Sequence, residues 1–145
     1  MKKVLLIGLI VLLVMICFCS CDFNQRLRNR MLEHYGNDEY YIETSGIITN
    51  IDYEEKRITI RGTNPEDEVL MGREFVFELC SDEKILSNLF VGDEIDFMTT
   101  YFDFYNGDIS RLAMIEKDGV EYLSFEQGKQ DLLDWINEYF KPTNQ

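Results

Sequence analysis

A chain of 145 residues with 14 Lys+Arg against 27 Asp+Glu carries a formal net charge of −13. The length suits one domain with a single core. The acidic balance opposes a nucleic-acid partner, because binders of that class present basic stripes.

The N-terminus opens with Met1-Lys2-Lys3, followed by an apolar run from Val4 to Phe18 that only Gly8 interrupts. A short basic start, an apolar stretch near the top of the usual ~7–15 residues and small residues after it describe a secretory signal. A spanning helix wants ~20 apolar residues, with a range of roughly 17–25, so the run is marginal as a permanent anchor. It ends in ICFCSCD, residues 16–22, where three cysteines alternate. Zinc and iron–sulfur sites want Cys-x-x-Cys spacings with further ligands, and only Cys80 and His34 remain elsewhere. Alternating cysteines also cannot bridge each other without strain.

The end of the run resembles the lipobox of bacterial lipoproteins. In that family a small residue precedes the cysteine that receives diacylglycerol and becomes the mature N-terminus. Cys17 follows Ile16 and Cys19 follows Phe18, both bulky, whereas Cys21 follows Ser20 and has Cys19 two places back. Phe18 stands where the family usually has an aliphatic residue. The resemblance implies a signal peptide over residues 1–20, a lipid on Cys21, and a chain held at the extracytoplasmic face of a cell membrane. An uncleaved signal anchor is the alternative.

With Lys2 and Lys3 removed, 12 basic side chains face 27 acidic ones, a net of −15. Residues 31–145 alone hold 9 against 26, or −17, so Arg26, Arg28 and Arg30 form a basic collar beside an acidic body. Each collar arginine adds ~1 kcal/mol of attraction to an anionic lipid surface. Residues 21–39 read as a membrane-proximal stalk, with Leu27, Met31 and Tyr35 on one helical face and Gly36 as a stop. With Cys21 lipidated, Cys80 is the only thiol left, expected to point inward as a small apolar residue.

From Tyr40 the period becomes alternating. GIITNID places Ile47, Thr49 and Ile51 on one face. RITIRG directs Ile58 and Ile60 inward and Arg57, Thr59 and Arg61 outward. TNPEDEVLMG is a loop, and REFVFELC forms a third strand with Phe75, Phe77 and Leu79 together. SDEKILSNLF offers Ser81 or Asp82 as the cap of about two helical turns. EIDFMTTYF alternates Ile95, Phe97, Thr99 and Tyr101; Asn106-Gly107 signals a tight turn into DISRLAMIE, and Lys117-Asp118-Gly119 turns into VEYLS. Ser124 and Gln127 form a capping-box pair opening an amphipathic helix with Phe125, Leu132, Leu133, Ile136, Tyr139 and Phe140 on one face.

Five strands with a short helix between the third and fourth resemble the OB-fold, a partly open Greek-key barrel. LFVGDEIDF, residues 89–97, is similar to the helix-to-fourth-strand crossing of small OB domains. The expected class is therefore mainly β with α: a five-stranded OB-like Greek-key barrel over residues 40–145, ending in an amphipathic helix.

Chemistry is sparse. The only histidine lies in the stalk, so a Ser-His-Asp or Cys-His arrangement on the barrel is not expected, and no glycine-rich phosphate loop is present. Asp103, Asn106 and Asp108, and separately Glu66, Asp67 and Glu68, are oxygen donors that do not follow the EF-hand order. Neither catalytic residues, nor a metal, nor another cofactor is expected. YFDFYNGD, residues 101–108, crowds four aromatics at the end of the fourth strand, and Phe102, Phe104 and Tyr105 are candidates for partner contact, with core packing under the C-terminal helix as the rival reading. Arg57 and Arg61 share a strand face and could hold an anionic ligand, or pair with Glu43 or Glu74. The reading is a non-catalytic binding module, lipid-tethered, for an envelope protein or polysaccharide. The alternatives are an accessory subunit of an envelope complex and a carboxylate-dependent hydrolase.

Overall fold

In a computed structural model that describes residues 23–100 and 109–141, β1 (Tyr41–Asp52) is the strand on which the others are organised. It pairs antiparallel with β2 (Arg57–Gly62) along one edge and with β4 (Glu94–Thr100) along the other. Strand β3 (Glu74–Glu78) continues the sheet beyond β2. Among the described residues the full order is β5-β3-β2-β1-β4-β6-β7, with β5 at Ser110–Arg111, β6 at Met114–Lys117 and β7 at Val120–Leu123.

The expected fifth strand is two strands, so the sheet has seven where five barrel strands and one appended strand were predicted. The split has a geometric cause. Residues 110–111 run parallel to β3, and 114–116 run antiparallel to β4, so one short segment serves both edges of the curled sheet. The Leu112 N–H donates to the Glu78 carbonyl at 3.3 Å and the Ala113 N–H to the Met98 carbonyl at 2.9 Å, fastening the changeover point to both sides. The sequence run DISRLAMIE, read as one fifth strand, loses its alternation at Leu112-Ala113, where the chain changes partner. The overall form is an OB-like, curled half-barrel.

Strand β1 corrects a second expectation. Its inward face is Ile42, Thr44, Gly46 and Ile48, with Ile48 at 0 % exposure, and the predicted face of Ile47 and Thr49 points out. A register shift between Ile48 and Asn50 then turns Ile51 back to the core. A bulge reverses the parity of every residue after it, which simple alternation cannot anticipate. The other strands alternate as expected: Ile58 and Ile60, Phe77 and Leu79, and Ile95, Phe97 and Thr99 are buried. Phe77 and Phe97 meet edge to face with ring centroids 5.2 Å apart.

The connection Glu83–Asn88 is a 3-10 helix, not α, capped by Asp82, whose side chain accepts from the Lys84 N–H. Leu86 and Leu89 anchor it at 0 % exposure, closing the bottom of the core. Asp118 and Gly119 both have positive φ, 55° and 74°, which supplies the two-residue hairpin turn between β6 and β7.

A second apolar cluster lies on the outer face. Helix α1 (residues 23–36) contributes Met31, Leu32 and Tyr35; α2 (Phe125–Tyr139) contributes Leu132 and Ile136; Tyr41, Met98 and Ala113 form the floor. Strand β4 is thus covered on both sides. The predicted face of α2 holds for Leu132 and Ile136, with Phe125, Leu133 and Phe140 packed against the same cluster, but Tyr139 is 70 % exposed. Arg28 Nη2 donates to Asn137 Oδ1 at 2.6 Å, and Lys129 pairs with Asp38, tying α1 and its exit to α2. Gly128 carries the docking: a Cβ there would lie 2.1 Å from the Ala113 carbonyl oxygen. Its absence lets helix backbone rest on strand backbone.

Candidate functional site

Where β3 ends, β7 arrives and α2 begins, three segments frame a cavity of about 550 Å³. That size falls in the range of small-molecule sites, roughly 300–1,000 Å³. Leu123 and Ile85 supply apolar wall and Tyr122 an aromatic one. Ser124 caps α2 at one side, its hydroxyl accepting from the Gln127 N–H at 3.3 Å. The Gln127 side chain donates in turn to Asp131 Oδ1 at 2.6 Å, one helical turn on. These bonds fix the position of the α2 face that lines the cavity.

The lining is negatively charged. Asp82, Glu121 and Asp131 contribute carboxylates, and no Lys or Arg belongs to it among the described residues. Lys84 offsets part of the Asp82 charge, with Nζ 3.9 Å from Oδ2. Glu121 stands directly opposite Glu116 on β6, and Glu116 stands opposite Asp96 on β4, so a row of acids crosses three strands. Like charges facing each other across strands oppose sheet pairing. Ser81 also lines the cavity; it is 5 % exposed, and its hydroxyl is buried without a hydrogen-bond partner.

Cys80 borders the same space. Burial pushes its thiol up to about 12; the Arg111 guanidinium works against that rise, and the Glu78 and Asp131 carboxylates add to it. A thiol held neutral is a poor nucleophile and a poor metal ligand. Arg111 hydrogen-bonds Cys80 and also holds its guanidinium 4.3 Å above the Trp135 ring, with Nη1 donating to the Ile109 carbonyl at 3.2 Å. Among the described residues no group of three His, Cys, Asp or Glu is placed to hold a metal ion.

The residues nominated from sequence lie elsewhere. Arg57 and Arg61 do point out from β2. Arg57 is set among acids: Asp52 faces it from β1, and its Nη2 lies 3.7 Å from Glu78 and 3.8 Å from Glu55. Arg61 is in register with Glu74, one of the two acids expected, while Glu43 faces Met98 on the far side of β1. Neither arginine lines the cavity. Cys21, Phe102, Phe104, Tyr105 and the Asp103–Asn106–Asp108 turn fall outside the described residues. Of the other acidic loop, Asp67 is buried and uses Oδ1 to accept from the Val69 and Leu70 N–H groups, which makes it a turn-former.

Sequence reasoning missed Glu121 and Asp131 because 27 scattered acids leave no single one distinguished. The available signals were the two caps, at Ser81–Asp82 and Ser124–Gln127, which mark the ends that meet here. Within 23–100 and 109–141, no helix is long and apolar enough to cross a membrane.

No protein-family model and no curated protein matches the chain. Solved structures similar to part of it include apo-CusF residues 6–88 from Escherichia coli, at 22% identity over 54% of this chain and 87% of that one, with a TM-score of 0.40. Ag(I)CusF is similar at 22% identity over 54% of this chain and 97% of that one, with a TM-score of 0.38. A translation initiation factor from the Wolbachia endosymbiont strain TRS of Brugia malayi is similar at 15% identity, covering 52% and 78% of the two chains, with a TM-score of 0.34.

Proposed function

We propose that the chain is an exported, lipid-anchored binding module without catalytic activity, tethered through Cys21 and presenting its OB-like domain at the extracytoplasmic face of a cell membrane. The tether reading rests on residues 1–21, where a basic start, an apolar run and Ser20-Cys21 stand in order. The observation that carries binding is the cavity between β3, β7 and α2, whose volume suits a small ligand and whose mainly polar, acidic lining includes an apolar stretch at Ile85 and Leu123. A non-catalytic role suits its chemistry: the cysteine beside it is held neutral by burial, and Asp82 and Ser124 are occupied as caps. The envelope is where its ligand or partner is met, whether a small solute, a polysaccharide or a protein. Phe102, Phe104 and Tyr105 remain candidates for the partner contact.

The test is a thermal-shift panel on the full chain in detergent, comparing wild type with Gln127→Trp, which places an indole across the cavity mouth. The panel spans amines, dicarboxylates, sugars and short peptides. A ligand at ten times its dissociation constant adds about 1.4 kcal/mol of stability. The expected result is a rise in the wild-type midpoint with at least one class and none in Gln127→Trp. Equal shifts in both proteins, or none with any class, would contradict a binding role for this cavity.

A further inference from the structure

We propose that the cavity selects an organic ammonium cation, held by Glu121 and Asp131 with its apolar body against Tyr122 and Leu123. The inference deepens the binding-module reading and rests on it. Three observations converge. First, every charged side chain of the lining is a carboxylate, and Glu121 is further backed by Glu116 on the neighbouring strand. A cleft of one sign inside low-dielectric walls focuses its field and concentrates the opposite charge. Second, the Ser81 hydroxyl at the cavity wall is buried without a partner, a state that costs stability until a donor or acceptor reaches it. Rotation of the Ser81 hydroxyl about χ1 toward the cavity would let a ligand N–H supply that donor. Third, Ile85, Tyr122 and Leu123 add an apolar and aromatic stretch to the wall, which a bare metal ion or a hydrated inorganic cation would leave unused. An ammonium on a carbon chain meets both halves, with the Tyr122 side chain in the same lining.

Asp131 suits this role because Gln127 already orients it. With Oδ1 fixed at 2.6 Å from the glutamine nitrogen, the carboxylate need not be ordered when ligand arrives. Asp82 is the weaker contributor, since Lys84 and the 3-10 helix cap both draw on it.

The test is calorimetric titration of the detergent-solubilised full chain with three probes of one length: cadaverine, 1,5-pentanediol and glutarate. Saturable binding of cadaverine alone is expected. Glu121→Gln should weaken it roughly twofold to fivefold, and Ser81→Ala about tenfold. The paired variant Glu121→Gln/Asp131→Asn should weaken it further while keeping the fold, since both changes are isosteric. Glutarate or the diol binding as well as cadaverine overturns the inference, and so does cadaverine binding that the variants leave unchanged. No cadaverine binding at millimolar concentration also overturns it. If the thermal-shift panel still finds a neutral ligand blocked by Gln127→Trp, the binding-module reading stands and only the cationic class falls.

Discussion

Replacing Gly128 by alanine separates two opposing effects whose sizes can be set against each other. In an exposed helix interior the change is stabilising by about 1 kcal/mol, because glycine gives up the most backbone freedom on folding. Here the new Cβ would stand 2.1 Å from the Ala113 oxygen, 2.7 Å from its carbonyl carbon and 3.0 Å from its Cα. Both parties are backbone, so no side chain can rotate away, and α2 must lift by about 1 Å. That displacement reaches Leu132 and Ile136, both fully buried in the outer cluster. Overpacking of this kind costs about 3 kcal/mol at its upper end, which leaves a net loss of about 2 kcal/mol after the propensity gain. For a domain of this size the loss corresponds to a midpoint roughly 5–10 °C lower. Thermal unfolding followed by circular dichroism measures it. Fluorescence of Trp135, the only tryptophan, should shift in the folded state as its stacking with Arg111 loosens. Gly36→Ala is the control, since a Cβ there meets nothing within 4 Å. A Gly128→Ala protein as stable as wild type, or more so, would refute the close approach of α2 to the sheet.

Other consequences follow from individual contacts. Burial works upward on the Asp93 carboxyl, but hydrogen bonds from Lys117, at 2.8 Å, and from the Phe90 N–H outweigh it and hold the group below its usual range, while the same bond raises Lys117. The stability difference between wild type and Asp93→Asn should therefore be level near neutral pH. It should shrink as pH falls below about 3.9, where the unfolded carboxylate protonates, and again as pH rises beyond about 10.4, where the unfolded lysine loses its proton, until folded Lys117 loses its own at higher pH; urea midpoints across that range give the profile, and a flat difference throughout would count against the pair. Glu116→Lys should stabilise by roughly 0.2–1 kcal/mol per neighbour, because it turns the contacts with Asp96 and Glu121 from like to opposite charge. A loss of stability on chemical denaturation would show that the acidic row is not repulsive. Alkylation of Cys80 by iodoacetamide at pH 8, read peptide by peptide, should run on the order of a thousandfold slower in the folded chain than in urea, since burial holds its thiol up to about 12; similar rates would mean the cysteine is open to solvent.

Much of the fold was legible because period-2 patterning survives wherever one sheet face is buried. Ile58–Ile60, Phe75–Phe77–Leu79 and Ile95–Phe97–Thr99 fall as the alternation predicts, and Ser124 caps α2 as its spacing with Gln127 suggests. Alternation failed where the backbone departs from a regular strand. The bulge after Ile48 and the bend at Leu112–Ala113 are set by pairing with distant strands, and no local residue type announces the bulge. In the sequence Gly128 is only a residue that weakens a helix, because its reason is Ala113, fifteen positions away and on another element. The cavity was less legible still. Its carboxylates come from the cap of the 3-10 helix, β7 and α2, and its hydroxyls from Ser81 after β3 and the α2 cap Ser124, so the constellation exists only once these ends meet.

The central claim is that this domain works at a membrane, tethered by lipid, as a binding module. Labelling cells with an alkyne-tagged fatty acid, with intact mass of the extracted protein, tests it most directly when wild type is compared with Cys21→Ser. The account predicts label on wild type, a mass lacking residues 1–20 and carrying acyl chains, and no label on Cys21→Ser. A full-length, unlabelled product from wild type would contradict it.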